Sequence, residues 1–148
     1  MTKFVRILVV DDDATISQLI AEMLFLDGFK DVQWASNGVE AVNLYRTFMP
    51  DLVLMDISMP VMDGYEASCR IKSLDPDAKI VVLTGNPGDP RARRILAEGI
   101  AETVIPKPVR LQELRDIIRS KAAGAPAPDT TPPSTFSMPR RALNGTAS

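Results

Sequence analysis

Two apolar runs in this chain end on acid: Ile7-Leu8-Val9-Val10 closes on Asp11-Asp12-Asp13, and Leu52-Val53-Leu54-Met55 closes on Asp56. If both runs are parallel strands, their carboxylates meet at one end of a sheet. Carboxylates crowded together repel one another unless a divalent cation lies among them, and hard oxygen ligands of this kind suit magnesium. Two further polar residues close strand-like runs, Thr84 after Ile80-Val81-Val82-Leu83 and Lys107 after Thr103-Val104-Ile105-Pro106. A hydroxyl donor and a fixed positive charge beside a metal-bound carboxylate are what a phosphoryl group needs.

The elements that must position these residues follow from period and punctuation. Val5 to Val10 reads as a strand. Ile16, Leu19, Ile20, Met23 and Leu24 then repeat at helical spacing up to Gly28. Val32 to Ala35 is a short strand, and Val39, Val42, Tyr45, Phe48 and Met49 form a helical face that stops before Pro50. The spacing further predicts a strand over Leu52 to Met55, a helix over Gly64 to Leu74 and a strand over Ile80 to Leu83. A helix over Arg91 to Glu98, a strand over Thr103 to Ile105 and a helix over Leu111 to Lys121 complete the set. Five strands alternating with five helices imply right-handed crossovers and a parallel sheet covered on both faces. In open sheets of this class ligands bind outside the carboxyl ends of the strands, where Asp11, Asp12, Asp56, Thr84 and Lys107 all fall.

Composition narrows the function. The 148 residues, 45% of them hydrophobic, suffice for one domain with a sizeable core. A formal net charge of -2 gives no reason to expect nucleic acid or an anionic membrane surface as partner. No stretch is long enough to span a membrane, and the apolar N-terminal run is too short for a signal peptide, so a cytoplasmic protein is expected. Cys69 is the single cysteine and reads as a buried, inert thiol. The chain has no histidine, which excludes an internal phosphohistidine, a histidine metal site and a Ser-His-Asp triad. Any phosphoryl donor must come from outside. From Ala122 onward the chain is rich in Ala, Pro, Ser and Thr, and a disordered tail over 123–148 is expected after a folded domain over 1–122.

The set Val9-Val10-Asp11-Asp12, Met55-Asp56-Ile57-Ser58-Met59-Pro60-Val61-Met62-Asp63-Gly64, Thr84 and Lys107-Pro108 closely resembles the receiver domains of two-component response regulators, the CheY-like superfamily. The resemblance implies a flavodoxin-like α/β fold, a doubly wound five-stranded parallel sheet of order 2-1-3-4-5 with five helices. It implies that Asp56 is the phosphoacceptor, taking a phosphoryl group from a partner histidine kinase or histidine phosphotransfer protein. Mg2+ would be held by Asp12, the Asp56 carboxylate and the main-chain carbonyl of Ser58, with Asp11 acting mainly through water. Lys107 would neutralise one phosphoryl oxygen, Thr84 would hydrogen-bond another, and the Lys107-Pro108 bond would be cis. Ser58 and Asn86, each two places after a site residue, would flank the path of a hydrolytic water.

The same resemblance implies a signalling switch and not an enzyme, with slow self-dephosphorylation as its only turnover. The protein would be a stand-alone receiver acting through an unidentified downstream protein target or as a phosphoryl shuttle or sink, as a monomer or a phosphorylation-dependent dimer. Its output face, formed by the fourth helix, fifth strand and fifth helix, would carry Arg91, Arg93, Arg94, Arg110, Arg115 and Arg119, a surface for an acidic partner or a solvated helix face. Two departures stand out. Many relatives carry an aromatic residue three places before the lysine, where this chain has Val104, which has no ring to swing. The segment Gly85-Asn86-Pro87-Gly88-Asp89-Pro90 is also rich in Gly and Pro, as suits a loop either mobile or preset.

The alternative is an enzyme. Asp11-Asp12-Asp13-Ala14-Thr15 also fits the D-x-D-x-T signature of Mg-dependent haloacid-dehalogenase-like phosphatases, with Asp11 as nucleophile and Asp13 as general acid. Those enzymes need a later acidic motif, and none follows Lys107. Asp13 alternatively reads as the cap of the first helix. Trp34 and the methionines read as core or partly buried surface.

Overall fold

The structure, a computed structural model, describes residues 5–121. Ten elements alternate along them: β1 (Arg6–Val10), α1 (Ala14–Leu26), β2 (Asp31–Ala35), α2 (Gly38–Phe48), β3 (Leu52–Met55), α3 (Gly64–Leu74), β4 (Ile80–Thr84), α4 (Pro90–Ala97), β5 (Thr103–Pro106) and α5 (Leu111–Lys121). The strands form one parallel sheet of order β2-β1-β3-β4-β5. The predicted fold and element order are therefore those observed. The expected 123–148 tail lies outside the described residues.

Helix boundaries follow local chemistry. Asp13, Asn37, Asp63 and Asp89 each cap a helix by accepting a backbone N–H of the first turn. Pro90 stands at the first position of α4, where its missing N–H costs nothing, so that helix begins one residue before the predicted Arg91. The chain turns away from α1 at Gly28, whose φ of 94° lets the Phe29 amide turn back to the Leu24 carbonyl at 2.9 Å. α2 ends on Met49 in the left-handed region, because Pro50 disfavours a right-handed helical residue before it.

Strand alternation divides the core into two layers. Leu8, Val10, Val53, Met55, Ile80 and Val82 face α2, α3 and α4, together with Ala41, Tyr45, Ala67, Ile71 and Ile95. Ile7, Val9, Leu52, Leu54, Val81 and Leu83 face α1 and α5 and meet Ile20, Leu24, Leu114, Ile117 and Ile118. Each fully buried Leu or Ile contributes roughly 1.5–3 kcal/mol over an exposed one. That burial on both faces makes the sheet a rigid floor, and every strand presents its carboxyl end to the same edge.

Two surface expectations are corrected and a third is narrowed. Trp34 is 45% exposed, because it stands on the edge strand β2 on a face that no helix fully covers. Cys69 is half-buried and not buried. Half of the proposed arginine face is already neutralised: Arg91 pairs with Asp63 and Asp89, Arg94 with Glu98, and Arg115 with Asp27. Among the described residues no helix is long and apolar enough to cross a membrane.

Candidate functional site

Backbone pairing carries the acidic tips together. The Asp11 amide extends the β1 ladder to the Ala35 carbonyl at 3.1 Å, and the Asp56 amide reaches the Val10 carbonyl at 2.9 Å. Asp56 is thereby fixed beside the end of β1. On the other flank the Lys107 amide donates to the Thr84 carbonyl at 2.8 Å, placing the lysine just past the end of β5. The Lys107-Pro108 peptide bond is cis, as the resemblance implies.

One carboxylate oxygen from each of Asp11, Asp12 and Asp56 lies within 4.8 Å of the others. Asp11 and Asp56 are buried, while Asp12 stands exposed at the rim. The Lys107 ammonium lies 2.5 Å from Asp11 Oδ2 and 3.6 Å from Asp56 Oδ1. One positive charge thus serves a cluster of three carboxylates and lies within ion-pair range of two of them. Burial pushes the Asp56 carboxyl up from 3.8 to about 6; the Lys107 charge pulls it down, and Asp11 and Asp12 push it up again. A pocket with surplus buried carboxylate, all hard oxygen donors and one open rim fits a small divalent cation.

Asp11 is held most firmly. Besides Lys107 its carboxylate accepts the Asp13 amide at 2.9 Å, and its carbonyl accepts the Trp34 indole N–H at 2.9 Å and the Ser17 hydroxyl at 3.3 Å. Trp34, read from sequence as core or partly buried surface, is thus an exposed ring tied to the backbone of a pocket residue. Asp13 is not in the cluster: one of its oxygens caps α1, accepting the Thr15 amide at 2.9 Å and the Ile16 amide at 3.3 Å. The phosphatase alternative therefore finds its general acid engaged as a helix cap.

Thr84 is buried at the end of β4, and its Oγ1 accepts the Asn86 amide at 3.0 Å, which leaves its own O–H to donate. Ser58 sits on the exposed loop after Asp56, with its Oγ accepting from Arg91 Nη2 at 3.2 Å. Gly64 closes that loop: its amide donates to the Ile57 carbonyl at 2.8 Å, and a Cβ there would lie 2.0 Å from the Asp56 carbonyl oxygen. Only glycine permits α3 to start so close to Asp56. Arg91 was expected on an output face, yet it contacts both Ser58 and Asp63. Nothing in the local pattern marks a contact across 28 and 33 residues.

Comparison with known proteins places this geometry in a class. Residues 7–119 match the response regulator receiver domain family, and the chain belongs to that family. The chain is 37% identical over 113 residues to the chemotaxis protein CheY of Halobacterium salinarum, covering 76% of this chain and 92% of that protein. It is 38% identical over 111 residues to the response regulator MprA of Mycobacterium sp. (strain KMS), but spans only 47% of that protein's length. Among solved structures, a CheY-like receiver domain protein of Methanospirillum hungatei JF-1 superposes with a TM-score of 0.75 at 30% identity, covering 82% of this chain and 95% of that one. The receiver domain of a Pseudomonas aeruginosa PAO1 sensor histidine kinase, solved with a magnesium ion in its active-site cleft, gives 0.74 at 27% identity, with 82% of this chain and 100% of that one covered. The family is one of signalling switches of two-component systems, and no finding favours a haloacid-dehalogenase-like phosphatase.

Proposed function

We propose that Asp56 accepts a phosphoryl group from a phosphohistidine on a partner histidine kinase or phosphotransfer protein. The observation that carries this reading is the convergence of three carboxylates and one ammonium from the ends of β1, β3 and β5. An ionised Asp56 oxygen attacks phosphorus, the new P–O bond forms as the P–N bond breaks, and the departing imidazole nitrogen keeps the electron pair. Lys107 already lies within ion-pair range of Asp56 and neutralises one phosphoryl oxygen as a point charge. The free Thr84 O–H donates to another. Asp11, Asp12, Asp56 and the Ser58 carbonyl would hold Mg2+, which supplies charge neutralisation of the transferring phosphoryl group.

The domain would occupy 1–122, act in the cytoplasm where phosphohistidine donors are exposed, and signal by protein contact or serve as a phosphoryl shuttle. Loss of the phosphoryl group to water would be its slow self-dephosphorylation. The test is labelling with radioactive acetyl phosphate or a phosphorylated kinase. Label should appear on the wild-type chain with Mg2+, and both Asp56→Asn and chelation should abolish it; label that survives both overturns the reading.

A further inference from the structure

The loop that follows Asp56 and the loop that follows Thr84 are joined by one guanidinium. Arg91 Nη1 donates to Asp63 Oδ2 at 3.1 Å and Nη2 to Ser58 Oγ at 3.2 Å, so both ends of the loop between Asp56 and α3 meet the same side chain. That loop is tightly folded. Its Val61 lies at a φ of 71°, a region that β-branched residues rarely occupy. On the other side Arg91 Nε and Nη2 donate to the two oxygens of Asp89 at 3.1 and 2.7 Å. The Asp89 amide in turn donates to the Asn86 carbonyl at 3.0 Å, and the Asn86 amide to Thr84 Oγ1 at 3.0 Å. An unbroken path of hydrogen bonds therefore runs from the Thr84 hydroxyl to the loop leaving Asp56.

An exposed ion pair contributes little. Arg91 is different in kind, because its planar fork meets three acceptors from two loops at once, two of them carboxylates that also cap α3 and α4. Since Ser58 Oγ accepts from Arg91, its own hydroxyl proton is left to donate elsewhere. Moreover, β5 carries Val104 and no ring that could couple the site to α4 from the opposite side.

We infer that Arg91 is a positioning residue for the phosphoacceptor reaction: it fixes the Asp56 loop against the Thr84 loop and thereby sets how fast the phosphoryl group is gained and lost. This rests on the phosphoacceptor reading above. Without the fork, the Ser58 loop and the start of α4 separate, Thr84 approaches the phosphoryl oxygens less well, and water reaches Asp56 more freely.

The full chain is labelled with radioactive acetyl phosphate in Mg2+, and gain and decay of label are followed for wild type, Arg91→Ala, Arg91→Lys, Ser58→Ala and the Arg91→Ala/Ser58→Ala double variant. Circular dichroism and thermal melting confirm folding. Arg91→Ala should gain label more slowly and lose it faster, each by about fivefold or more, and Arg91→Lys, which keeps the charge without the planar fork, should stay close to it. Ser58→Ala should shift decay in the same direction, and the double variant should add less than the two single changes combined. Should Arg91→Ala fail to fold, Arg91→Lys and Ser58→Ala carry the same comparison. Wild-type rates in folded Arg91→Ala, full rescue by Arg91→Lys, or strict additivity with Ser58→Ala each overturn the inference while leaving the phosphoacceptor reading intact. A wild-type chain that takes no label, or an Asp56→Asn chain that labels equally, defeats that reading and the inference with it.

Discussion

Two clusters of like composition lie at the same edge of the sheet and have opposite electrostatic character. Around Lys107, one ammonium pairs with two buried carboxylates, Asp11 and Asp56, a third, Asp12, belongs to the same acidic cluster, and the Asp56 carboxyl is driven up to about 6 by burial. Around Arg91, two carboxylates share one guanidinium, and each also accepts a helix N-terminal amide, Asp63 from Glu66 and Asp89 from Arg91. There the hydrogen bond from the Arg91 side chain holds the Asp89 carboxyl below the ordinary range. The difference is one of donors per acid. The first cluster is under-neutralised and gains from a cation or from chemistry that consumes its charge, whereas the second is satisfied and resists change.

Neutralising one acid in each cluster should therefore move stability in opposite directions. In chelator at neutral pH, Asp56→Asn removes a buried charge and should stabilise the chain by on the order of 1–2 kcal/mol after allowance for solvent screening. Asp63→Ala, which loses both a helix cap and an Arg91 partner, should destabilise it by about 1–2 kcal/mol. Urea unfolding of the two variants checks the pair, and equal signs would break the contrast.

That contrast was only half legible in the sequence. The acidic pocket shows itself because strand ends are marked by apolar runs stopping on polar residues, and parallel alternation forces those ends to one edge. Asp11, Asp12, Asp56, Thr84 and Lys107 could be named from that pattern, and so could the element order. The Arg91 brace could not. Its contacts depend on how the α4 start packs against the loop before α3, and on a rotamer that no periodicity encodes. The backbone of that loop is equally silent, since Val61 at positive φ breaks the rule by which turn residues are recognised. Trp34 misleads for a related reason: an aromatic residue in a strand suggests burial, but β2 is an edge strand and only the indole N–H is engaged.

Titration sharpens the comparison further. A carboxyl raised in the fold contributes stability that is complete below its unfolded value and is lost as pH rises through the folded one. For metal-free protein, the Asp56 contribution should thus disappear between about pH 4 and about pH 6. The stability gained by Asp56→Asn over wild type should be nearly absent below that window and reach its plateau above it. Paired unfolding curves from pH 3.5 to 7.5 in chelator test the sign; a gain that is flat across this range would show that Asp56 is solvated as an ordinary carboxylate.

The smallest effect belongs to Asp89. Asn caps a helix about as well as Asp, so Asp89→Asn keeps an oxygen for the Arg91 amide, but it replaces Oδ2, the acceptor of Arg91 Nη2, by an amide nitrogen and deletes the charge facing the guanidinium and the α4 N-terminus. The expected loss is about 0.5 kcal/mol at neutral pH. Because this carboxyl is depressed in the fold, its contribution is present above the ordinary carboxylate value and is lost as pH falls through the folded one. The penalty of Asp89→Asn should therefore shrink on acidification, over the direction in which the gain from Asp56→Asn also vanishes. Opposite signs at neutral pH with convergence in acid are what a starved and a satisfied cluster on one scaffold require; a penalty that grows in acid would mean that Arg91 does not hold Asp89 ionised.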